Sequence, residues 1–313
     1  IRPLRPIGPG SPSFTFAVKV DGQPRDIVAT PLATLRATLA GPNGDFGTMI
    51  TSGTLTNPWV QATIQGAGAT GVLTAVDAAN GVFSYSFPST ITLPLITTGS
   101  YTVGLEATLN ATEPRFAATS PMHAFAVTDA VARERRSVID ADKCNACHFN
   151  LSAHGGLRRG AAACVLCHSP RNANDERSSR FEGSTVLAES LDFRVMVHKV
   201  HAGAQRSQPY VLFGSPGPTT TNPTGTPLDF GASRYPRPLT QCEACHRPGT
   251  WTLPASQGRL PSILQELTCT EPAASDTDSY CTSPFWNVTR TLTLAPETAV
   301  CTSCHDQPYT RVH

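Results

Sequence analysis

Cys144-Asn-Ala-Cys147-His148 is the first of four copies of one pentapeptide pattern in this chain. The other three copies are Cys164-Val-Leu-Cys167-His168, Cys242-Glu-Ala-Cys245-His246 and Cys301-Thr-Ser-Cys304-His305. The pattern C-x-x-C-H is the attachment signature of c-type haem. With ten cysteines and nine histidines in 313 residues, chance supplies roughly 0.01 copies of such a pattern. The four copies therefore predict four covalently attached haem c groups.

The spacing of the pattern follows from the chemistry of haem attachment. Two thiols about one helical turn apart can each add across one vinyl group of a single porphyrin, and the adjacent histidine then lies under the iron. The predicted proximal iron ligands are His148, His168, His246 and His305. A bare C-x-x-C also occurs in structural zinc half-sites and in thioredoxin-like redox pairs. Neither of these sites requires a histidine after every second cysteine, so the haem interpretation is favoured.

The distribution of cysteine divides the chain into two parts. No cysteine precedes Cys144, and a chain of this length accommodates two domains of ordinary size. We predict an extended, proline-rich N-terminal arm at residues 1–13, an all-β domain at residues 14–130 and a tetrahaem cytochrome c domain at residues 131–313. The cytochrome domain should contain short helices and loops with little other regular structure, because the macrocycles themselves form much of its apolar core.

Alternating apolar residues indicate several short strands in the first part. The strands are predicted at residues 14–20, at 71–76 and 82–87 around an Asn80-Gly81 turn, at 99–109 and at 123–128. Strands of this number and length favour an immunoglobulin-like sandwich. No nucleophile, carboxylate pair or phosphate loop stands out in this domain, so we interpret it as a packing or adhesion module.

Charge and hydropathy restrict the compartment and the partners. The net charge is +1 and only 15% of residues are charged, which does not favour binding to nucleic acid. We find no uninterrupted apolar run long enough to span a bilayer. Because the chain begins at Ile1 without an initiator methionine, we expect a mature product whose export signal has been removed.

The second axial ligand of each iron determines its redox potential and its openness to substrate. The three methionines show no regular relation to the motifs. Five histidines lie outside the motifs, namely His123, His154, His198, His201 and His313. His198 and His201 are predicted to share one face of a short helix, and His154 precedes two glycines that allow a close turn. The residues alone leave open whether His313 or His123 is the fourth ligand.

Two cysteines, Cys269 and Cys281, belong to no haem motif. For an exported chain with one unassigned pair, a disulfide is the natural interpretation. It would stabilise this Thr- and Ser-rich insertion by about 3 kcal/mol in the loop-entropy model.

Several stretches of this sequence resemble the OmcA/MtrC family of outer-surface multihaem cytochromes. They are residues 135–148, Leu151-Ser-Ala-His-Gly-Gly156, Cys164-Val-Leu-Cys-His-Ser-Pro170, Met196-Val-His-Lys-Val-His-Ala-Gly203 and Cys301-Thr-Ser-Cys-His-Asp306. The resemblance implies that His154, His198 and His201 are distal ligands. It also implies a distal histidine shortly after the Cys-His-Asp motif, which favours His313 over His123. The family further implies low-spin, bis-histidine haems that pass electrons to minerals, other cells or electrodes.

The chain also departs from the family pattern. Typical members repeat a β domain and a five-haem domain, whereas this sequence has one β domain and four motifs. A short tetrahaem unit is similar to the subunits of cytochrome filaments, in which a histidine can serve a haem of the next subunit. Copies of itself, other multihaem cytochromes and extracellular acceptors such as minerals are therefore the expected partners.

Three classes of function remain after these observations. The favoured class is an electron-transfer protein that is not an enzyme, in a filament or a cell-surface conduit, since two histidines per iron leave no open position. A multihaem reductase would need one five-coordinate haem beside acid or base groups. A structural fibre would use its haems only for stability. A periplasmic or surface shuttle that does not polymerise is a variant of the first class.

Overall fold

The computed structural model describes residues 12–48, 50–52, 55–92, 98–112, 117–171, 185–187, 190–213, 227–252, 258–269 and 286–306. The chain forms two compact units. The first unit comprises Ile1–Cys167 and Cys245–Thr250, and the second comprises His168–Ala244 and Trp251–His313. The domain boundary predicted at residues 130/131 was placed from the positions of the haem motifs, whereas the two units are defined by compactness, so the boundary stays a prediction.

Twelve strands of the first unit lie before residue 130 among the described residues. They are β1 (Ser13–Ala17), β2 (Lys19–Val20), β3 (Gln23–Pro24), β4 (Thr34–Ala40), β5 (Ile50–Ser52), β6 (Leu55–Asn57), β7 (Trp59–Gln65), β8 (Val72–Asp77), β9 (Val82–Ser86), β10 (Ile91–Thr92), β11 (Ser100–Thr108) and β12 (Met122–Ala126). All pairings between them are antiparallel. The strands form a four-stranded sheet in the order β12-β11-β4-β7, two three-stranded sheets, β1-β9-β8 and β10-β5-β6, and the small ribbon β2-β3.

Buried side chains alternate with less buried ones along β1 and β9, and the buried ones form part of the core of this unit. Phe14 and Phe16 of β1 lie opposite Tyr85 and Phe83 of β9, and all four side chains are buried. They pack in one apolar cluster with inward residues of the four-stranded sheet, such as Leu39. The strands predicted at residues 71–76, 82–87, 99–109 and 123–128 are confirmed as β8, β9, β11 and β12. The stretch predicted as one strand at 14–20 forms β1 and β2. The immunoglobulin-like arrangement itself stays a prediction.

A second apolar cluster lies on the other face of the four-stranded sheet. After β12 the chain forms helix α1 (Ala141–His148), strands β13 (Ser152–Ala153) and β14 (Arg158–Arg159) and helix α2 (Ala161–Cys167). Leu166 of α2 packs with Phe46 and Met122. A Cβ atom at Gly104 would lie only 2.6 Å from Leu166 Cδ1, so the glycine in β11 permits this close approach. The cysteine pair of the second motif is thereby held against the four-stranded sheet.

The second unit contains strands β15 (Thr185–Leu187), β16 (Val211–Phe213), β17 (Pro227–Asp229), β18 (Ser262–Cys269) and β19 (Trp286–Leu294), and helices α3 (Phe193–Ala202) and α4 (Pro296–Cys304). Strands β15-β18-β19 form one sheet, β16-β17 form a ribbon, and α3 packs against α4. The predicted short helix around His198 is confirmed. The sheet was not predicted, because its strands lie far apart in sequence. Cys281 lies outside the described residues, as do residues 1–11 of the predicted arm.

Candidate haem-binding sites

Each C-x-x-C pair lies in, or begins in, a helical segment. The pairs of the first, second and fourth motifs end helices α1, α2 and α4, and the third motif begins in a 3-10 turn at Cys242–Ala244. A helical turn places residues i and i+3 on one side, as attachment of one macrocycle requires. Within the part of the chain that the structure describes, the eight motif cysteines form no disulfide.

The first and third motifs are joined within the first unit. The amide of Asp140 donates to the carbonyl of Cys245 over 2.9 Å, and the amide of Arg247 donates to the carbonyl of Val138 over 3.0 Å. Burial raises the pKa of the Cys144 thiol, and the nearby Cys245 thiol raises it further. The two attachment sites are therefore neighbours although about a hundred residues separate them in sequence.

In the second motif Cys167 is buried and Cys164 is partly buried. Burial raises the pKa of Cys164 to about 11 and that of Cys167 to about 12, and in both cases the guanidinium of Arg158 works against burial. Reactive redox thiols have lowered pKa values. The environment of this pair thus opposes a thioredoxin-like role and fits the edge of an apolar macrocycle.

Main-chain carbonyls just before and within α3 orient three of the predicted iron ligands. In each case the ring Nδ1 lies within hydrogen-bond distance of a carbonyl oxygen. The bonds join His168 to Leu191 (3.0 Å), His198 to Arg194 (2.6 Å) and His201 to Val197 (2.9 Å). A carbonyl oxygen only accepts hydrogen bonds, so Nδ1 carries the proton and the lone pair lies on Nε2. This tautomer is the one in which a histidine ligates a metal through Nε2.

The side chains of α3 also fit a neutral ligand role. Burial lowers the pKa of His198, against the opposing effect of the Arg194 carbonyl. The neutral imidazole is the form that binds iron. The ring of Tyr235 packs edge-on against His201 with 5.3 Å between ring centroids, which restricts the orientation of the imidazole. The donor set, its tautomers and the burial of the second thiol pair together fit c-type haem.

A buried polar network holds the N-terminus of α3. Asp192 caps the helix by accepting from the amide of Arg194, and its carboxylate pairs with the Arg194 guanidinium at 2.7 Å. The Ser262 hydroxyl donates to the same carboxylate. Sequence analysis assigned these residues no role, although an Asp directly before a helical stretch is a recognisable N-cap signal. Ser262 reaches the helix only through the tertiary fold.

The fourth motif is anchored by Asp306. Its carboxylate accepts from the amides of Ser207 and Gln208 at 3.0 and 2.9 Å and pairs with Arg206 at 3.3 Å. Arg206 also donates to the carbonyl of Ser303. The end of α4 is thus tied to the turn after α3. Sequence analysis gave Asp306 no role of its own, although it belongs to one of the stretches that resemble the family.

The remaining candidate ligands lie in different settings. His154 lies exposed in the turn between β13 and β14 with a φ of 54°, and the next two glycines also have positive φ. His123 lies opposite Val103 in the β12–β11 pair, on the same face of the strand as the core residue Phe125. Within the described structure, its Nε2 atom is buried and makes no hydrogen bond. His313 lies outside the described residues, and the distal assignments stay predictions.

The family model for outer-membrane cytochromes of the MtrC/MtrF-like type, domains II/IV, matches residues 136–313. This range holds all four motifs. The chain belongs to this family of outer-surface multihaem cytochromes. The resemblance drawn from the motif stretches is confirmed.

Seven chains of solved structures match, among them the crystal structure of MtrC from Shewanella baltica OS185. That match has 22% sequence identity and a TM-score of 0.42, and it covers 63% of this chain. It spans only 31% of the MtrC chain. The comparison with curated proteins gives no match. Among the residues that the structure describes, no helix is both long and apolar enough to cross a membrane.

Proposed function

We propose that this family member transfers electrons through four haem c groups outside the cell or at its outer surface. Bound haem c supplies a one-electron couple between ferric and ferrous iron. The chain attaches each group through one cysteine pair and provides two histidines for each iron. Two histidines leave no open coordination position, so the protein carries electrons and does not transform a substrate.

The arrangement around α3 carries the bis-histidine part of the proposal. His168 is a motif histidine, whereas His198 and His201 come from a helix that holds no motif. All three share the Nδ1-to-carbonyl hydrogen bond that leaves the lone pair on Nε2. This tautomer supports a ligand role for all three histidines. His198 and His201 are therefore proposed as distal ligands, with His154 and His313 completing the set.

Haem content and coordination test the proposal directly. The purified protein should contain four haem c groups per chain by the pyridine haemochrome assay. Its spectra should be those of low-spin haem in both oxidation states, and the reduced protein should not react with carbon monoxide. A carbon monoxide adduct on one haem would instead favour a reductase with one open site.

The fourth distal ligand is tested with a matched pair of variants. His313→Ala should convert one haem to the high-spin form, whereas His123→Ala should leave all four low-spin, because His123 faces the core of the β domain. Electron paramagnetic resonance of the oxidised protein distinguishes the two results. A high-spin haem in His123→Ala alone would reverse the assignment.

The partners are part of the same proposal. Other multihaem cytochromes, minerals and copies of this chain are the proposed donors and acceptors, either in a filament or in a cell-surface conduit. Negative-stain microscopy at high protein concentration distinguishes these arrangements. Filaments would support polymerisation, and monodisperse particles would exclude it in favour of a conduit or shuttle.

A further inference from the structure

A buried ion pair lies on the face of the four-stranded sheet that contacts the second haem motif. Glu106 of β11 is only 6% exposed, and its carboxylate accepts from Arg158 Nε over 2.8 Å. Arg36 pairs with the other carboxylate oxygen at 3.4 Å, and Gln61 bridges Glu106 and Arg158. The β domain thus supplies a carboxylate that fixes a guanidinium of the cytochrome segment.

The Glu106–Arg158 ion pair lies beside the attachment site of the second motif. Helix α2 packs against β4, β11 and β14, which carry Arg36, Glu106 and Arg158. A small cavity of about 10 Å³ is lined by both members of the buried pair and by Leu166 and Cys167. Both charges therefore lie beside Cys167, one of the two cysteines to which one haem is attached in the proposed holoprotein.

The two charges have opposite signs and both are largely buried, since the side chain of Glu106 is 6% exposed and that of Arg158 is 17% exposed. Charges in a buried setting are screened less than charges at the surface. The thioether sulfurs lie at the edge of the macrocycle, so the same charges act on the haem.

We propose that Arg158 raises the reduction potential of the haem attached at Cys164 and Cys167, and that Glu106 limits the increase. Reduction adds one negative charge to the haem, and a nearby buried cation stabilises that charge while a buried anion destabilises it. The β domain then tunes one centre of the electron relay in addition to packing against it. The inference rests on the proposed function, since it requires haem at the second motif.

Potentiometric titration of the intact holoprotein tests the inference. Arg158→Gln should move the midpoint potential of one haem to a lower value, and Glu106→Gln should move that of the same haem to a higher value. Arg158→Lys keeps the cation and should restore most of the wild-type potential. Arg36→Gln serves as the matched control, because Arg36 contacts the same carboxylate but its side chain is 31% exposed, so its shift should be the smallest.

The signs of the shifts separate tuning from a structural role. If Arg158→Gln and Glu106→Gln shift the potential in the same direction, disruption of the site explains both shifts and the inference is overturned. The inference also fails if Arg158→Gln titrates as the wild type does, or if Arg158→Lys shifts as far as Arg158→Gln. The haemochrome assay on the same samples tests the proposed function separately. A wild type without haem at the second motif would overturn both.

Discussion

Asp192 fixes the N-terminus of α3, the helix that carries two candidate ligands. Its side chain is 2% exposed, and that of its partner Arg194 is 16% exposed. The carboxylate accepts from the amide and the guanidinium of Arg194 and from the hydroxyl of Ser262. Replacing Asp192 removes a helix cap and one half of a buried ion pair together.

The expected magnitude follows from this burial. Removal of one partner of a buried ion pair costs about 3–5 kcal/mol, because the other charge stays buried. Asp192→Ala should therefore lower the free energy of unfolding by about 3–5 kcal/mol. Asp192→Asn keeps the shape and a cap acceptor but loses the charge, and should cost about 1–3 kcal/mol. Urea titration of the holoprotein, followed by far-UV circular dichroism, measures both.

The Arg290–Glu266 pair of the same unit provides the control. Its side chains are 60% and 31% exposed and lie 3.4 Å apart, and exposed pairs contribute only about 0–1 kcal/mol. Glu266→Gln should therefore leave the unfolding midpoint nearly unchanged. If Asp192→Ala destabilised the protein no more than Glu266→Gln does, the reasoning from burial would be refuted.

Two further changes test the first unit. Leu166→Ala should reduce the free energy of unfolding by about 2–5 kcal/mol, because it opens a cavity in the cluster between α2 and the sheet. Leu109 is exposed, so Leu109→Ala should reduce it by less than about 0.5 kcal/mol in the same denaturation assay. Hydrogen bonds from Asn80 lower the pKa of Asp77 below its ordinary value of 3.8. The Asp77 carboxylate therefore stabilises the β8–β9 turn at pH values above 3.8, and this stabilisation is lost as the pH falls through the lower pKa of the folded state. Asp77→Asn should remove this acid dependence from thermal unfolding curves, and an unchanged pH profile would contradict the assignment.

Much of the local structure follows from short stretches of sequence. Each haem motif has its attachment cysteines and proximal histidine within five residues, so the chemistry can be recognised without knowledge of the fold. The alternation in β9 and the spacing of His198 and His201 likewise identify a strand and a helix face. The hydrogen bond from His198 to Arg194 is also local, since it spans one turn of α3.

The sequence by itself determined the four attachment motifs, the strand-rich first part and the family. Only the tertiary structure decided which groups surround the motifs. It joined Asp140 to Cys245, His168 to Leu191 and Glu106 to Arg158, pairs that are 105, 23 and 52 residues apart. A local pattern records which face of an element is apolar, but the partner of that face depends on how distant segments bury their surfaces together. The sequence alone therefore does not show that these charges lie beside the second motif.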